Sequence, residues 1–215
     1  MARKEKAWRI GLYLLGMVLL ALGITMTAQA GLGASAIVSV PFTLSRWLEL
    51  NFANLTLGIY CLFVVAEFFI KGEKRSWLDL LQIPVSIVFT RFMALFQLGI
   101  RYESGYLPTD VAMLLVGIVL TGVGAAMTVD MQLIPNPGDG IVNSISMRCG
   151  KPLGLCKNFF DLGCVSISLM MGAATGRPLL GVGAGTFVSM IAVGRVMAVF
   201  QKAAKERIQT AAGIA

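Results

Sequence analysis

The sequence predicts an all-α membrane protein with six transmembrane helices plus two re-entrant half-helices, disposed as two inverted-topology repeats. Three observations lead to that class. Apolar runs recur, each of about 20 residues and so able to cross a hydrocarbon core of roughly 30 Å. The chain repeats its own pattern at shifts of 101 to 104 positions. Basic residues gather at alternate ends of the apolar runs, as in cytoplasmic loops. Composition agrees: of 215 residues, 57% are hydrophobic and only 13% charged, with a mean hydropathy of +0.80. A soluble domain needs far more charged surface. The formal charge of +7 sits at the ends of helices rather than in a patch, so the expected partner is the lipid bilayer and not a nucleic acid.

The elements follow in order. Residues 1–9 form a cytoplasmic N-terminal segment with Arg3, Lys4, Lys6 and Arg9, and residues 10–100 make the first repeat. Its first helix covers about 10–30. The Ala28-Gln29-Ala30 ending before Gly31 looks like a signal-peptide cleavage site. The apolar stretch is long for a signal peptide, however, and it recurs later, so it reads as a transmembrane helix. A segment at 34–48 is short, more polar and interrupted by Pro41, as a half-helix would be. Helices at about 56–70 and 77–98 flank the cluster Lys71, Lys74 and Arg75. The second repeat, 111–201, has the same parts: a helix at 111–130, a half-helix at 138–149, then helices at 157–173 and 179–200. A cytoplasmic tail, 202–215, carries Lys202, Lys205 and Arg207.

The repeat rests on residues. At a shift of 101, Leu14, Gly16, Val18, Leu19, Gly23, Met26, Thr27 and Leu32 fall on identical residues between Leu115 and Leu133. At a shift of 104, Arg91-x-Met-Ala-x-Phe-Gln97 falls on Arg195-x-Met-Ala-x-Phe-Gln201, and Ile37-Val38 falls on Ile141-Val142. Leu57-Gly58 matches Leu153-Gly154 at another offset, which gives Lys157, Asn158 and Asp161 the apolar counterparts Cys61, Leu62 and Val65. Three spans per repeat is an odd number, so the second repeat enters the membrane inverted. With both termini cytoplasmic, the basic clusters fall inside, and only Arg46, Arg101 and Arg177 lie outside, diluted by Glu49, Glu103 and Asp110. If the half-helices cross fully, the count becomes eight spans and the repeats become parallel. Inverted repeats with broken helices are an architecture of secondary transporters.

Pro137-Gly-Asp-Gly140 followed by Ile-Val, Lys157-x-x-x-Asp161, Gly31-Leu-Gly33 and Gly185-Thr186 together resemble the YczE/YitT-type bacterial membrane proteins over roughly residues 10–200. The resemblance implies a small multispanning protein of the bacterial cytoplasmic (inner) membrane. This chain departs from the pattern at Ala34-Ser-Ala-Ile-Val38, where a proline and an acidic residue are expected.

Candidate functional residues follow from cost. An Arg at a helix centre costs about 2.5–3.5 kcal/mol to insert, so Arg91 and Arg195 need a cavity, a partner or a route to the headgroups. A guanidinium there suits a carboxylate, phosphate or sulfonate. Asp139 and Ser35 open the half-helices, either as N-caps or as part of an anion site. Asp139, Asn143 and Ser146 share one helix face, as do Ser35, Ser39 and Thr43, which suggests a wet interior. Lys157 and Asp161 are spaced to pair, with Asn158 beside them, and Glu67 is spaced to pair with Lys71. Asp161 or Glu67 can also take a coupling proton or Na⁺.

Histidine is absent, which removes the commonest general base and metal ligand, so no enzyme, cofactor or metal is expected. Cys61, Cys149, Cys156 and Cys164 lack zinc-like spacing and read as small apolar residues. Gly181, Gly183 and Gly185 follow no strand and read as sites of close packing rather than a nucleotide loop. The expected function is alternating-access transport of a small organic or inorganic anion, with a homodimer possible. A non-transporting membrane protein that assembles with or regulates a partner comes second, and an intramembrane enzyme third.

Overall fold

The structure, a computed structural model, describes residues 3–100, 102 and 105–214, without the side chains of Arg3 and Lys74. The sequence argument drew on Arg101 and Glu103 for the outside charges and on Arg3 and Lys74 for the inside ones; these lie outside the described residues or side chains.

Eight α-helices form: α1 (Arg3–Gln29), α2 (Ser39–Leu48), α3 (Phe52–Lys71), α4 (Gln82–Gly99), α5 (Leu107–Asp130), α6 (Pro137–Cys149), α7 (Leu153–Ala174) and α8 (Ala184–Ala211). A 3₁₀ turn, Ala36–Val38, leads into α2, and another, Trp77–Leu81, leads into α4. Six stretches are long and apolar enough to cross a membrane, namely α1, α3, α4 with its leading turn, α5, α7 and α8. The chain is therefore a multi-pass membrane protein. No strand forms among the described residues. The helices α2 and α6 have 10 and 13 residues. At 1.5 Å per residue they reach about 15 and 20 Å, well short of a bilayer core.

Local chemistry sets the boundaries. Asn51 caps α3 by accepting the Asn54 N–H at 3.2 Å. Asn136 caps α6, accepting the Gly138 N–H at 3.0 Å, and Pro137 takes the first helical position, where its missing N–H costs nothing. The cap is thus Asn136 and not Asp139, which stands one turn further in. Ser35 precedes the 3₁₀ turn but makes no side-chain capping bond. Pro41 does not interrupt its segment: it lies in the first turn of α2, where no intrahelical N–H bond is lost. Gly181 to Gly183 delay α8 to Ala184, and the helix then runs through the tail to Ala211. Ile208 and Ala212 pack into the core beside α1, which gives those last turns an apolar face to bury.

The centre of the molecule is the crossing of α1 and α5. Gly16 lies against Gly124 and Met127, and Gly23 lies against Gly117 and Thr121. The partner number falls as the α1 number rises, so the two helices are antiparallel. The contact also exchanges equivalents, because Gly16 and Gly117 are one repeat position and Gly23 and Gly124 the other. A Cβ on Gly16 would meet the Met127 Cβ at 2.9 Å, and one on Gly124 would meet the Gly16 carbonyl oxygen at 2.6 Å. Only glycine allows backbones this close.

The other helices obey the same exchange. α4 packs on α1 as α8 packs on α5, and α2 packs on α7 as α6 packs on α3. Each short helix thus rests on the opposite half of the chain. Two pairings are not reproduced: α3 packs along α4, whereas α7 and α8 scarcely touch, and α8 touches α1, whereas α4 and α5 scarcely meet.

Candidate functional site

The two short helices meet at their starts, where a Cβ on Gly138 would lie 2.5 Å from Ile37 Cδ1. Beside this junction, polar side chains are buried among apolar ones between α2 and α7. Ser168 of α7 donates to Ser39 Oγ at 2.8 Å, and both residues are buried. Thr43 is buried against Gly181, and its hydroxyl finds no partner among the described residues. Of the two predicted polar faces, Ser39 and Thr43 are buried, Ser35 and Asp139 are half-buried, and Asn143 is exposed. The α2 face is closed by α7. The α6 face stays partly open, and Ser146 turns to the Lys151 carbonyl at 2.7 Å.

On the α3 side, Glu67 is only 1% exposed and pairs with Lys71 at 2.6 Å. Lys71 also reaches Asp79 at 2.8 Å, and Gln82 donates to Glu67 Oε2 at 2.9 Å. This network, in which only Gln82 Oε1 finds no partner among the described residues, abuts the first turn of α6, where a Cβ on Gly140 would meet Glu67 Oε2 at 2.6 Å. Glu67 pairs as its spacing predicts, but deep among α3, α4 and α6 rather than at the surface. Beside it, a cavity of about 590 Å³ is lined by Lys71, Glu73, Ser144 and Arg148.

On the α7 side, Asp161 is buried, and its Oδ2 stands 3.6 Å from Lys157 Nζ. Its other oxygen has no partner among the described residues. The second half therefore holds its carboxylate loosely where the first holds Glu67 tightly.

The arginines lie elsewhere. Arg91 is exposed and donates from Nη2 to Asn54 Oδ1 at 2.7 Å, joining α4 to α3. Arg195 is exposed and makes no hydrogen bond or ion pair among the described residues; it lines a cavity of about 590 Å³ between α7 and α8, together with Lys157 and Asn158. Neither arginine reaches the junction of the short helices. Asn54 was not singled out from the sequence. Asn158 stands 104 positions after it, the same shift that relates Arg91 to Arg195. At that shift Asn158 corresponds to Asn54, where the offset of 96 set it against Leu62, and the two Asn/Arg couples match in sequence.

The end of the repeated motif also has a place. Gln201 donates to the buried Asp130 at 2.7 Å, and Gln209 donates to the Asp130 carbonyl at 3.0 Å, tying α8 to the end of α5. In the first half Gln29, the counterpart of Asp130, donates to the carbonyls of Gln97 at 3.5 Å and Ile100 at 3.1 Å. Asp130 was missed because it looks like an ordinary acidic residue at a helix end. The four cysteines are free thiols, and no cluster suited to a metal ion occurs among the described residues.

The model of a family of unknown function (DUF6198) matches residues 7–202. No curated protein and no solved structure matches the chain.

Proposed function

The chain belongs to this family of unknown function, and we propose that it is a small secondary transporter in which two inverted repeats exchange conformations to move a small anion. The observation that carries the proposal is the antiparallel crossing of α1 and α5 through equivalent glycines. A two-fold operation that exchanges antiparallel spanning helices runs perpendicular to them, and so lies in the membrane plane. Such pseudo-symmetry provides two conformations of equal standing, open to opposite sides. The shortness of α2 and α6 supports their reading as re-entrant half-helices, and the basic clusters support cytoplasmic termini. The resemblance to YczE/YitT-type proteins adds support for the bacterial inner membrane.

The path runs where the short helices start. Two short helices that begin near one another, as the contact of Gly138 with Ile37 places them, favour an anion, since the N–H groups and dipoles at helix starts are positive. Asp161 is the coupling group: it is buried, one oxygen is free, and Lys157 neutralises it only from 3.6 Å. A proton or Na⁺ at Asp161 would offset the arriving negative charge. Arg91 and Arg195 lie off this path.

The test is uptake into proteoliposomes under an imposed proton or Na⁺ gradient, with a panel of small carboxylates, phosphate and sulfate. At least one anion should accumulate, and Asp161→Asn should abolish coupling while leaving folded yield intact. No flux of any panel member, together with an obligate co-purifying partner, would replace transport with the assembly reading. Topology is checked separately by labelling single cysteines in a background without the native four. Positions 73 and 205 should react from one side and position 105 from the other. Finding 73 and 205 on opposite sides would end the inverted-repeat reading.

A further inference from the structure

We infer that the groove between α7 and α8 is a binding site for one anionic phospholipid, with the phosphate held by Lys157, Asn158 and Arg195 and the acyl chains lying along Phe159, Leu162 and Ile191. The inference rests on α7 and α8 being membrane spans and not on transport itself.

The groove is open because α7 and α8 scarcely touch. Its cavity of about 590 Å³ is bounded by residues 154–162 of α7 and 190–195 of α8, and Gly154 and Gly194 border open space, with no atom within 4 Å of where a Cβ would stand. The walls are apolar and outward-facing: Phe159 is 67% exposed, Leu162 52% and Ile191 58%. Two cations and an amide converge on this apolar slot. Among the described residues, Asp161 is the one carboxylate paired with either cation, at 3.6 Å from Lys157, whose side chain stays 39% exposed. Arg195 has no partner among the described residues. A guanidinium left so inside a bilayer is costly, and an anion with its own hydrocarbon relieves that cost in a way water cannot.

The first half shows what the same residues do when no room is left. There Arg91 is satisfied by Asn54 and α3 lies along α4, so the equivalent slot is closed. In the second half Asn158 and Arg195 are held in one cavity without bonding each other, leaving both free for a third group.

Depth fits a headgroup. Lys157 stands four residues after the start of α7, about 6 Å along the axis, and Arg195 seven residues before Lys202, about 10 Å. Long cationic side chains reach a phosphate from that depth, and basic pockets between spans recur as sites for acidic lipid headgroups. A second copy of the chain does not supply the anion as well. The carboxylates Glu67 and Asp161 within the spans, and Asp130 at the end of α5, are all buried in their own protomer.

The experiment is native mass spectrometry of the purified full-length chain titrated with phosphatidylglycerol, phosphatidylcholine or sodium phosphate. One phosphatidylglycerol should be retained in preference to phosphatidylcholine. Arg195→Gln and Lys157→Gln should each weaken retention about tenfold, the scale of one charge-assisted contact. Arg91→Gln should leave retention unchanged, and Arg195→Lys should keep most of it, which controls for folding. A photoactivatable phosphatidylglycerol should label peptides from 154–162 and 190–195. Equal retention of the two lipids would overturn the site. So would an Arg91→Gln effect as large as that of Arg195→Gln. Displacement of the lipid by millimolar inorganic phosphate would mean that the groove takes a free anion instead. Since none of these readings involves flux, they stand or fall apart from the transport proposal.

Discussion

The two halves of this chain share a plan and differ in how tightly they close. At the central crossing they are equals, with Gly16 and Gly23 of one meeting Gly124 and Gly117 of the other. Away from it they part. The first half zips α3 to α4 through Asn54 and Arg91 and ties Glu67, Lys71, Asp79 and Gln82 into one network. The second half leaves α7 apart from α8, with Arg195 unbonded among the described residues and Asp161 half-satisfied. Its strong tie lies at the other end of α8, through Asp130, Gln201 and Gln209. The difference teaches that a repeated residue need not have a repeated role: Arg91 bonds Asn54 across two packed helices, and Arg195 lines an open groove.

The largest effects should come where the halves are equal. Gly23→Leu and Gly124→Leu each force a side chain into facing backbone, an overpacking cost of about 3 kcal/mol or more, and both should abolish monodisperse folded protein in detergent. Gly11→Leu, at a glycine with nothing within 4 Å, should be silent. If one crossing glycine tolerates leucine and the other does not, the equality of the halves is wrong.

Next come the carboxylates. Glu67→Ala breaks a buried ion pair and orphans Gln82, at a cost of about 3 kcal/mol, seen as a clear loss of thermal stability. Asp161→Asn removes a charge that is poorly paired and should change stability by less than about 1 kcal/mol. Equal losses would erase the contrast between closed and loose halves.

The tie between α5 and α8 should rank third. Asp130→Ala removes a hydrogen bond to a charged acceptor, worth about 2 kcal/mol, and should free the last turns of α8 to exchange amide hydrogens. Gln29→Ala removes only long neutral bonds and should cost about 1 kcal/mol or less. Smallest of all, Arg91→Lys loses the bond to Asn54 at a cost of about 1 kcal/mol, while Arg195→Lys should leave stability unchanged. A destabilised Arg195→Lys would show that Arg195 already has a protein partner.

The sequence by itself determined the all-helical class and the six stretches long and apolar enough to span, and it carries the recurrence at shifts of 101 and 104. Each follows from properties carried by local strings: apolar length, charge at run ends, and residues recurring at a constant shift. It also marked Lys157 with Asp161 and Glu67 with Lys71, because pairs four apart meet on any helix. Helix limits were less legible. The cap of α6 at Asn136 was masked by the acidic residue three places on, and the extension of α8 depends on Ile208 finding a distant core. Which halves touch, and how, belonged to the tertiary structure alone. Asn54 becomes the partner of Arg91 only once α3 lies along α4, and Asp130 becomes a buried anchor only once α8 crosses α5. The same motif leaves Arg195 unpaired because α7 stands away from α8, a distance that no residue in either helix encodes by itself. Packing decides it, since a side chain's partner depends on the helices that come to lie beside it.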